Sequence, residues 1–256
     1  MQSKYLQIAI RAVKVGGKLA MKYFDNPPNV RTKIMKADAG KSPRDGNKSW
    51  PEPLSDVDVQ IEEKIKKIIT KHFPSHNFKG EETKHCITSS NYTWFLDPIS
   101  SSTNYLHHTP HFAVSLSLTK NRLPILGVVL DPFYNELFYA EKNCSAYLGK
   151  QKLKVSSCSN LEQAFGLPLK KIRACFDIYN ERHIGSSALN LAWIAAGRLD
   201  FFVADRVDLY SQLGPVVLIQ EAGGKMTDFA GKNLTTDSKT IIASNGHLHK
   251  KILKSL

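Results

Sequence analysis

Long apolar runs are missing from this chain. The stretch Ile125–Leu130, with Gly127 inside it, falls far short of the ~18 residues that a membrane-spanning helix needs. No secretory leader is expected after Met1, because charges recur at Lys4, Arg11, Lys14, Lys18 and Lys22. Cysteine is sparse: Cys86, Cys144, Cys158 and Cys175 form no CxxC pair. That disfavours a zinc ribbon and a disulfide scaffold, and points to reduced thiols in a cytoplasm. A phosphate-binding glycine loop is also lacking. Ala39-Gly40-Lys41-Ser42 looks like its end, but Met35 stands where the first glycine of that motif must be. Repeats and low-complexity tracts are absent as well.

What is present is an ordinary globular composition, 42% hydrophobic and 23% charged, over 256 residues. That length can bury a full core. The net charge is +12, and it is unevenly placed. Residues 1–50 carry eleven Lys/Arg against three acids, and none of the acids lies in residues 1–24. This basic fifth reads as a solvated helix followed by a basic loop, as a contact surface for an anionic partner such as nucleic acid, or as a targeting helix.

Periodicity predicts a helix over residues 3–24, with Leu6, Ile10, Val13, Gly17, Ala20 and Phe24 on one stripe and Pro27-Pro28 as its stop. Residues 36–53 are polar and turn-rich and read as a mobile loop. Ser55 and Asp58 open a second helix with a capping-box pattern, and Pro74 closes it. Short strands are expected at Trp94–Leu96, Phe112–Thr119, Ile125–Leu130 and Glu136–Ala140, with Lys120-Asn121-Arg122 as a turn between two of them. Phe112, Val114, Leu116 and Leu118 alternate with small residues, which suits a strand with one buried face. A small-residue helix (Ser186–Ala196), a strand (Leu199–Val203), a helix from about Leu213 to Ala222, a strand at Thr240–Ala243 and a last helix complete the pattern. Strands that cluster and then alternate with helices indicate layered α/β or α+β architecture.

Two acidic motifs sit where the chain turns. Gly80-Glu81-Glu82 follows a helix, and Asp97-Pro98 ends the apolar strand Trp94-Phe95-Leu96. A carboxylate at such a strand end suits a hard cation with oxygen ligands. The following Ile99-Ser100-Ser101-Ser102-Thr103-Asn104 can open a helix whose free N–H groups would receive phosphate. Together they describe a metal-assisted phosphoryl site. His107, His108 and His111 are the other cluster of possible ligands, but Pro110 breaks helical spacing between them.

These pieces resemble the inositol monophosphatase family of magnesium-dependent, lithium-sensitive sugar phosphatases. The resemblance runs from about Asp58 to the C-terminus, more weakly in the first helix. It is carried by Gly80-Glu81-Glu82, by Trp94–Ile99, by Ser102-Thr103-Asn104, by Phe112–Ser115 and by the run Gly127–Gly149. Gly185-Ser186-Ser187-Ala188, Ala195–Asp200 and Glu221-Ala222-Gly223-Gly224 continue it. It implies one domain over residues 1–256, a layered αβαβα sandwich of the inositol monophosphatase and fructose-1,6-bisphosphatase type. An α+β part is expected at about 1–150 and an α/β part at about 151–256. A homodimer and hydrolysis of a phosphomonoester by a metal-activated water are implied with it.

Carried over by position, the resemblance assigns one Mg²⁺ to Glu81, Asp97 and the Ile99 carbonyl. It assigns catalysis to Glu81, Ser102 and Asp58, and substrate contacts to Ser101, Ser102, Gly185 and Ser186. A second Mg²⁺ site is degenerate, because Ser100 and Ser211 stand where the family carries aspartates. The substrate-binding Glu expected near Val203-Ala204 is missing too, with Asp205 one residue away. Segment Leu161–Arg173 is shorter than in the family. A Ser hydroxyl is a poor Mg²⁺ ligand, so the second site should be almost lost, and with it several kcal/mol of leaving-group stabilisation, or roughly 10³ in rate. Three functions follow as expectations: a weakened cytoplasmic phosphatase of inositol, sugar or nucleotide phosphates; an inactive relative that binds RNA or a transcription-related partner through residues 1–50; or a sugar-phosphate sensor.

Overall fold

The computed structural model describes residues 2–36, 49–176, 178 and 180–256, and the side chains of 33–36 and 49–52 are left aside. The first helix, α1 (Lys4–Lys22), is N-capped by Ser3, and α2 (Asp56–His72) by Ser55. Between them β1 (Arg31–Lys36) pairs antiparallel with β2 (Ser49–Leu54), so the expected loop over 36–53 is a strand at its C-terminal end. Polar, proline-bearing strands carry no alternation to reveal them, which is why composition read them as loop. Residues 37–48, including Lys41 and Arg44, lie outside the described residues.

A seven-stranded sheet follows, with β3 (Asn77–Gly80), β4 (Tyr92–Ser100), β5 (Ala113–Lys120), β6 (Leu123–Asp131), β7 (Glu136–Glu141), β8 (Ala146–Leu148) and β9 (Gln151–Lys152) in that spatial order. Only β3 and β4 run parallel. The single-turn helix α3 (Ser102–Leu106) leaves the end of β4. A five-stranded sheet is built from β10 (Phe165–Leu167), β11 (Asn180–Glu181), β12 (Phe201–Ala204), β13 (Lys225–Thr227) and β14 (Ile241–Ser244), in the order β11-β10-β12-β14-β13. Helices α4 (Lys170–Cys175), α5 (Ser187–Ala195), α6 (Leu209–Glu221) and α7 (His249–Lys254) complete the chain.

Each apolar face has a partner. One core joins α1 and α2 to the seven-stranded sheet through Val13, Ile61, Ile65, Trp94, Leu96 and Leu116. A second places α5 and α6 between the two sheets through Leu189, Leu191, Val216, Val217, Val129 and Ile241. A third packs Ile172 of α4 and Ile252 of α7 on the outer face of the five-stranded sheet. The result is the αβαβα sandwich. The four cysteines are free, and no described helix is long and apolar enough to cross a membrane.

Three details differ from the sequence reading, and all three bear on α6. Strand β5 is buried on both faces, because α6 covers the side that carries Ala113, Ser115 and Ser117. Small residues there mark close helix packing and not solvent. Strand β4 does not end at Asp97; it runs on to Ser100, and its register against β5 shifts between those two residues. That is the signature of a bulge, which re-aims side chains. Helix α6 begins at Leu209, one turn before the expected Leu213, and carries Pro215 inside it. Pro215 has no N–H for the Ser211 carbonyl, and the Ser115 hydroxyl donates to that carbonyl instead, at 3.1 Å.

The approach of α6 to β6 depends on Gly127, where an added Cβ would lie 2.0 Å from the Gly214 carbonyl oxygen. The reverse substitution has room, since a Cβ on Gly214 meets nothing nearer than 3.5 Å. Gly127→Ala is therefore expected to lower stability by about 3 kcal/mol, as backbone must move from backbone. Gly214→Ala should be neutral or stabilising through helix propensity. Chemical denaturation of the two variants measures this, and equal midpoints would show that α6 packs more loosely than described.

Candidate metal and phosphoryl site

The site forms where the bulged end of β4, the loop after β3 and the N-terminus of α6 meet. Pleating places Phe95 and Asp97 on the α6 face of β4. Phe95 packs with Tyr210 and Leu213, which anchors the first turn of α6 beside Asp97. Asp97 is 3% exposed. Its Oδ2 accepts a short hydrogen bond from Ser211 Oγ.

Glu81 reaches the same point from the loop after β3, and that loop is shaped by a buried carboxylate. Glu62 of α2 accepts from the Glu82 N–H at 2.7 Å, the Thr83 N–H at 2.8 Å and the Thr83 hydroxyl. Lys66, one turn later, donates to the Lys84 carbonyl. His85 bonds the Gly80 carbonyl at 3.2 Å and sits 3.4 Å from the Tyr210 hydroxyl, linking the loop to α6.

A third carboxylate was not expected from the sequence. Asp208 is the N-cap of α6; its Oδ1 accepts from the Tyr210 N–H at 3.1 Å and from the Ser211 N–H at 3.4 Å. Its Oδ2 accepts from Ser211 Oγ at 3.1 Å. Glu81, Asp97 and Asp208 each present an oxygen within 4.8 Å of the others, the one such group among the described residues. Two unit charges at that spacing repel by about 3 kcal/mol at an effective dielectric of ~20. The donors are all hard oxygens, and trans ligands of an octahedral Mg²⁺ lie ~4 Å apart. The set therefore fits a hard divalent cation with little movement. The signal available in sequence was Asp208 three residues ahead of Ser211, the spacing of one helical turn and also of an ordinary N-cap.

Of the remaining candidate residues, Ser100 and Ser186 connect to this group through Ser211, and Asp58 pairs with Ser102. Asp58 is 1% exposed; its Oδ2 accepts from the Ser55 N–H at 2.9 Å and the Ser55 hydroxyl at 2.7 Å, and its Oδ1 faces Ser102 Oγ at 3.1 Å. Ser102 Oγ also lies 3.2 Å from the Ile99 carbonyl. Ser101 caps α3 in the left-handed region, at φ 78°. The five-residue α3 offers far less helix N-terminus to a phosphate than its sequence suggested. Gly185 has φ +104° and packs against the Asn104 amide and Ser101 Oγ. Ser186 caps α5 and donates to Ser100 Oγ at 2.9 Å, and Ser100 lies 3.3 Å from Ser211 Oγ. Ser100 and Ser211, where the family resemblance implies aspartates, are thus the middle of a buried hydroxyl chain that ends on Asp97.

The histidines do not converge. His108 bonds the Phe24 carbonyl at 2.9 Å, and His111 faces Asn190 Oδ1 at 3.2 Å with its pKa lowered by burial. Asp205 is exposed beyond β12.

Glu62 is expected to control the metal loop without touching metal. Glu62→Gln turns one acceptor into a donor facing a backbone N–H, which costs about 1–3 kcal/mol of stability. Thermal denaturation together with Mn²⁺ titration tests this, with weaker binding expected. Unchanged values in both would show that the Glu81 loop is held by other contacts.

Comparisons with known proteins place the whole chain in a family. The model of the inositol monophosphatase family matches residues 1–256, including the first helix, where the sequence resemblance was weak. The inositol-1-monophosphatase of Caulobacter vibrioides is 34% identical over 221 residues, covering 79% of this chain and 86% of that protein. The Nus factor SuhB of Escherichia coli is 30% identical over 266 residues, covering 98% and 95%. The solved structure of Thermotoga maritima IMPase superposes with a TM-score of 0.83 at 30% identity, over 99% of this chain and 96% of that one.

Proposed function

Because the chain belongs to the inositol monophosphatase family, we propose that it hydrolyses a phosphomonoester of inositol, a related sugar or a nucleotide in the cytoplasm, with Mg²⁺ and as a homodimer. The family is metal-dependent, and the observation that carries the reading is the convergence of Glu81, Asp97 and Asp208, with the Asp58–Ser102 pair formed at the start of α3. A bound divalent cation supplies Lewis acidity and a water of lowered pKa. Glu81 and Asp97 hold that charge in place, with the Ile99 carbonyl turned to the same side as Ser102. Ser102 orients the attacking water through its hydroxyl, and Asp58, held by Ser55, is the acceptor at the end of that hydrogen-bond path. Ser101 and Gly185 are where the ester would be met, since Ser186 is buried with its hydroxyl committed to Ser100 and the Leu189 N–H.

Ser100 and Ser211 set the limit of this activity. Their hydroxyls satisfy Asp97 and one another but bring no charge to a second cation, so turnover is expected roughly 10³-fold below that of a two-metal relative. Phosphate release from inositol 1-phosphate and related esters, with Mg²⁺ or Mn²⁺, should be slow in the native chain and faster in the Ser100→Asp/Ser211→Asp variant. Turnover of the native chain at two-metal rates would remove the argument about the lost ligands. No release from any ester by either protein would remove the phosphatase reading.

One observation favours a second reading, an inactive relative that binds RNA or a transcription-related partner. Helix α1 has no acid, and Lys4, Arg11, Lys14, Lys18 and Lys22 are all exposed on it. Such a cationic ridge suits a polyanion. The Escherichia coli relative is called a Nus factor. Arg11→Glu/Lys14→Glu/Lys18→Glu should reduce RNA retention and flatten its salt dependence while leaving the fold intact by circular dichroism. Retention equal to that of the native chain would leave α1 as a solvated face.

A further inference from the structure

We propose that Asp208 is a metal ligand of this chain, supplying from the N-cap of α6 the carboxylate that is missing at Ser211. The inference rests on the metal-dependent reading above and adds to it a residue outside the family motifs quoted for this sequence. The two carboxylate oxygens of Asp208 face different groups. Oδ1 meets the Tyr210 and Ser211 N–H groups, as an N-cap does. Oδ2 is turned the other way, toward Ser211 Oγ and the Asp97–Glu81 pair. A single hydroxyl hydrogen on Ser211 lies between two carboxylate oxygens, Oδ2 of Asp97 and Oδ2 of Asp208. A divalent cation bound by both carboxylates would lie among oxygens that already stand within 4.8 Å of one another.

The backbone also presents Asp208 in a fixed position. Its own N–H donates to Gln212 Oε1 at 2.9 Å, and Leu209 packs with Phe95, Tyr210 and Leu213 on β4. One helical turn separates residues 208 and 211, so their side chains lie on the same side of α6. A carboxylate at 208 can therefore reach from above the place that one at 211 would reach from beside it. Ser211 at its shorter length leaves space for this. Three carboxylates then stand at the site, the third arriving from the N-cap of α6. This yields one strong cation site in place of two shared ones.

The test is a Mn²⁺ titration of the full chain, followed by electron paramagnetic resonance, with melting temperature measured alongside. Asp208→Asn is the informative change, because Asn caps a helix as well as Asp does but removes the charge. Asp208→Asn is expected to weaken Mn²⁺ binding tenfold or more at an unchanged apo melting temperature, as Glu81→Gln also should. Adding Ser211→Asp to Asp208→Asn should restore most of the affinity. Binding by Asp208→Asn within twofold of the native chain, while Glu81→Gln is impaired, would overturn the inference and leave the phosphatase reading standing. No Mn²⁺ binding by the native chain would overturn it as well. Phosphate release is assayed on the same preparations, and a chain that binds Mn²⁺ through Asp208 but releases no phosphate would sustain this inference and reject the activity.

Discussion

The contact between α6 and the seven-stranded sheet is the constraint on which the site depends. Asp97 belongs to β4, Glu81 to the loop after β3, and Ser211 and Asp208 to the start of α6. None of these segments has a reason to meet unless the helix lies close against β4, β5 and β6. Gly127 allows the approach, Phe95 and Tyr210 locate its N-terminal end, and the Ser115 hydroxyl takes up the carbonyl that Pro215 cannot bond. A proline within a helix would ordinarily cost about 3 kcal/mol, and here part of that cost is offset by a partner on the sheet. The same bond holds the backbone of Ser211 in register with Asp97.

From this follows the chemistry of the buried hydroxyls. Ser186, Ser100 and Ser211 form a chain of donors and acceptors leading to Asp97. A buried polar group left without a partner costs about 1–3 kcal/mol, so replacing charged ligands requires that something else satisfy Asp97. Three small hydroxyls, two of them at helix starts, do so without filling the site. That arrangement holds Asp97 in a fixed orientation at the end of a buried hydroxyl chain.

Much of this was legible in the sequence. The layered architecture followed from element order, and of the residues singled out Glu81 meets Asp97 and Ser102 meets Asp58. What was not legible has physical causes. Ser115 and Ser117 resembled an exposed face because close packing on a helix selects small residues, and small polar residues look the same whether they face solvent or a glycine-lined helix. The strands β1 and β2 carry prolines and charges in place of alternation. The bulge after Asp97 leaves no pattern of its own, because Asp-Pro reads as a strand end. Asp208 was hidden by its second role, since an Asp ahead of a helix is accounted for by capping alone.

That double role also bears on how such a site could change by single steps. An N-cap aspartate stabilises its helix by about 1 kcal/mol whether or not a cation is near. A carboxylate at position 208 is therefore tolerated before it binds anything. Once it is present, a carboxylate at 211 adds repulsion of about 3 kcal/mol against Asp208 as well as attraction for a cation. A hydroxyl at 211 adds no charge and places one hydrogen within reach of both neighbours. The serine is then the residue that makes Asp97 and Asp208 compatible at close range, and not merely the trace of a lost ligand. Ser211 is the group that stands between the two carboxylates, and Ser100 bonds it from behind.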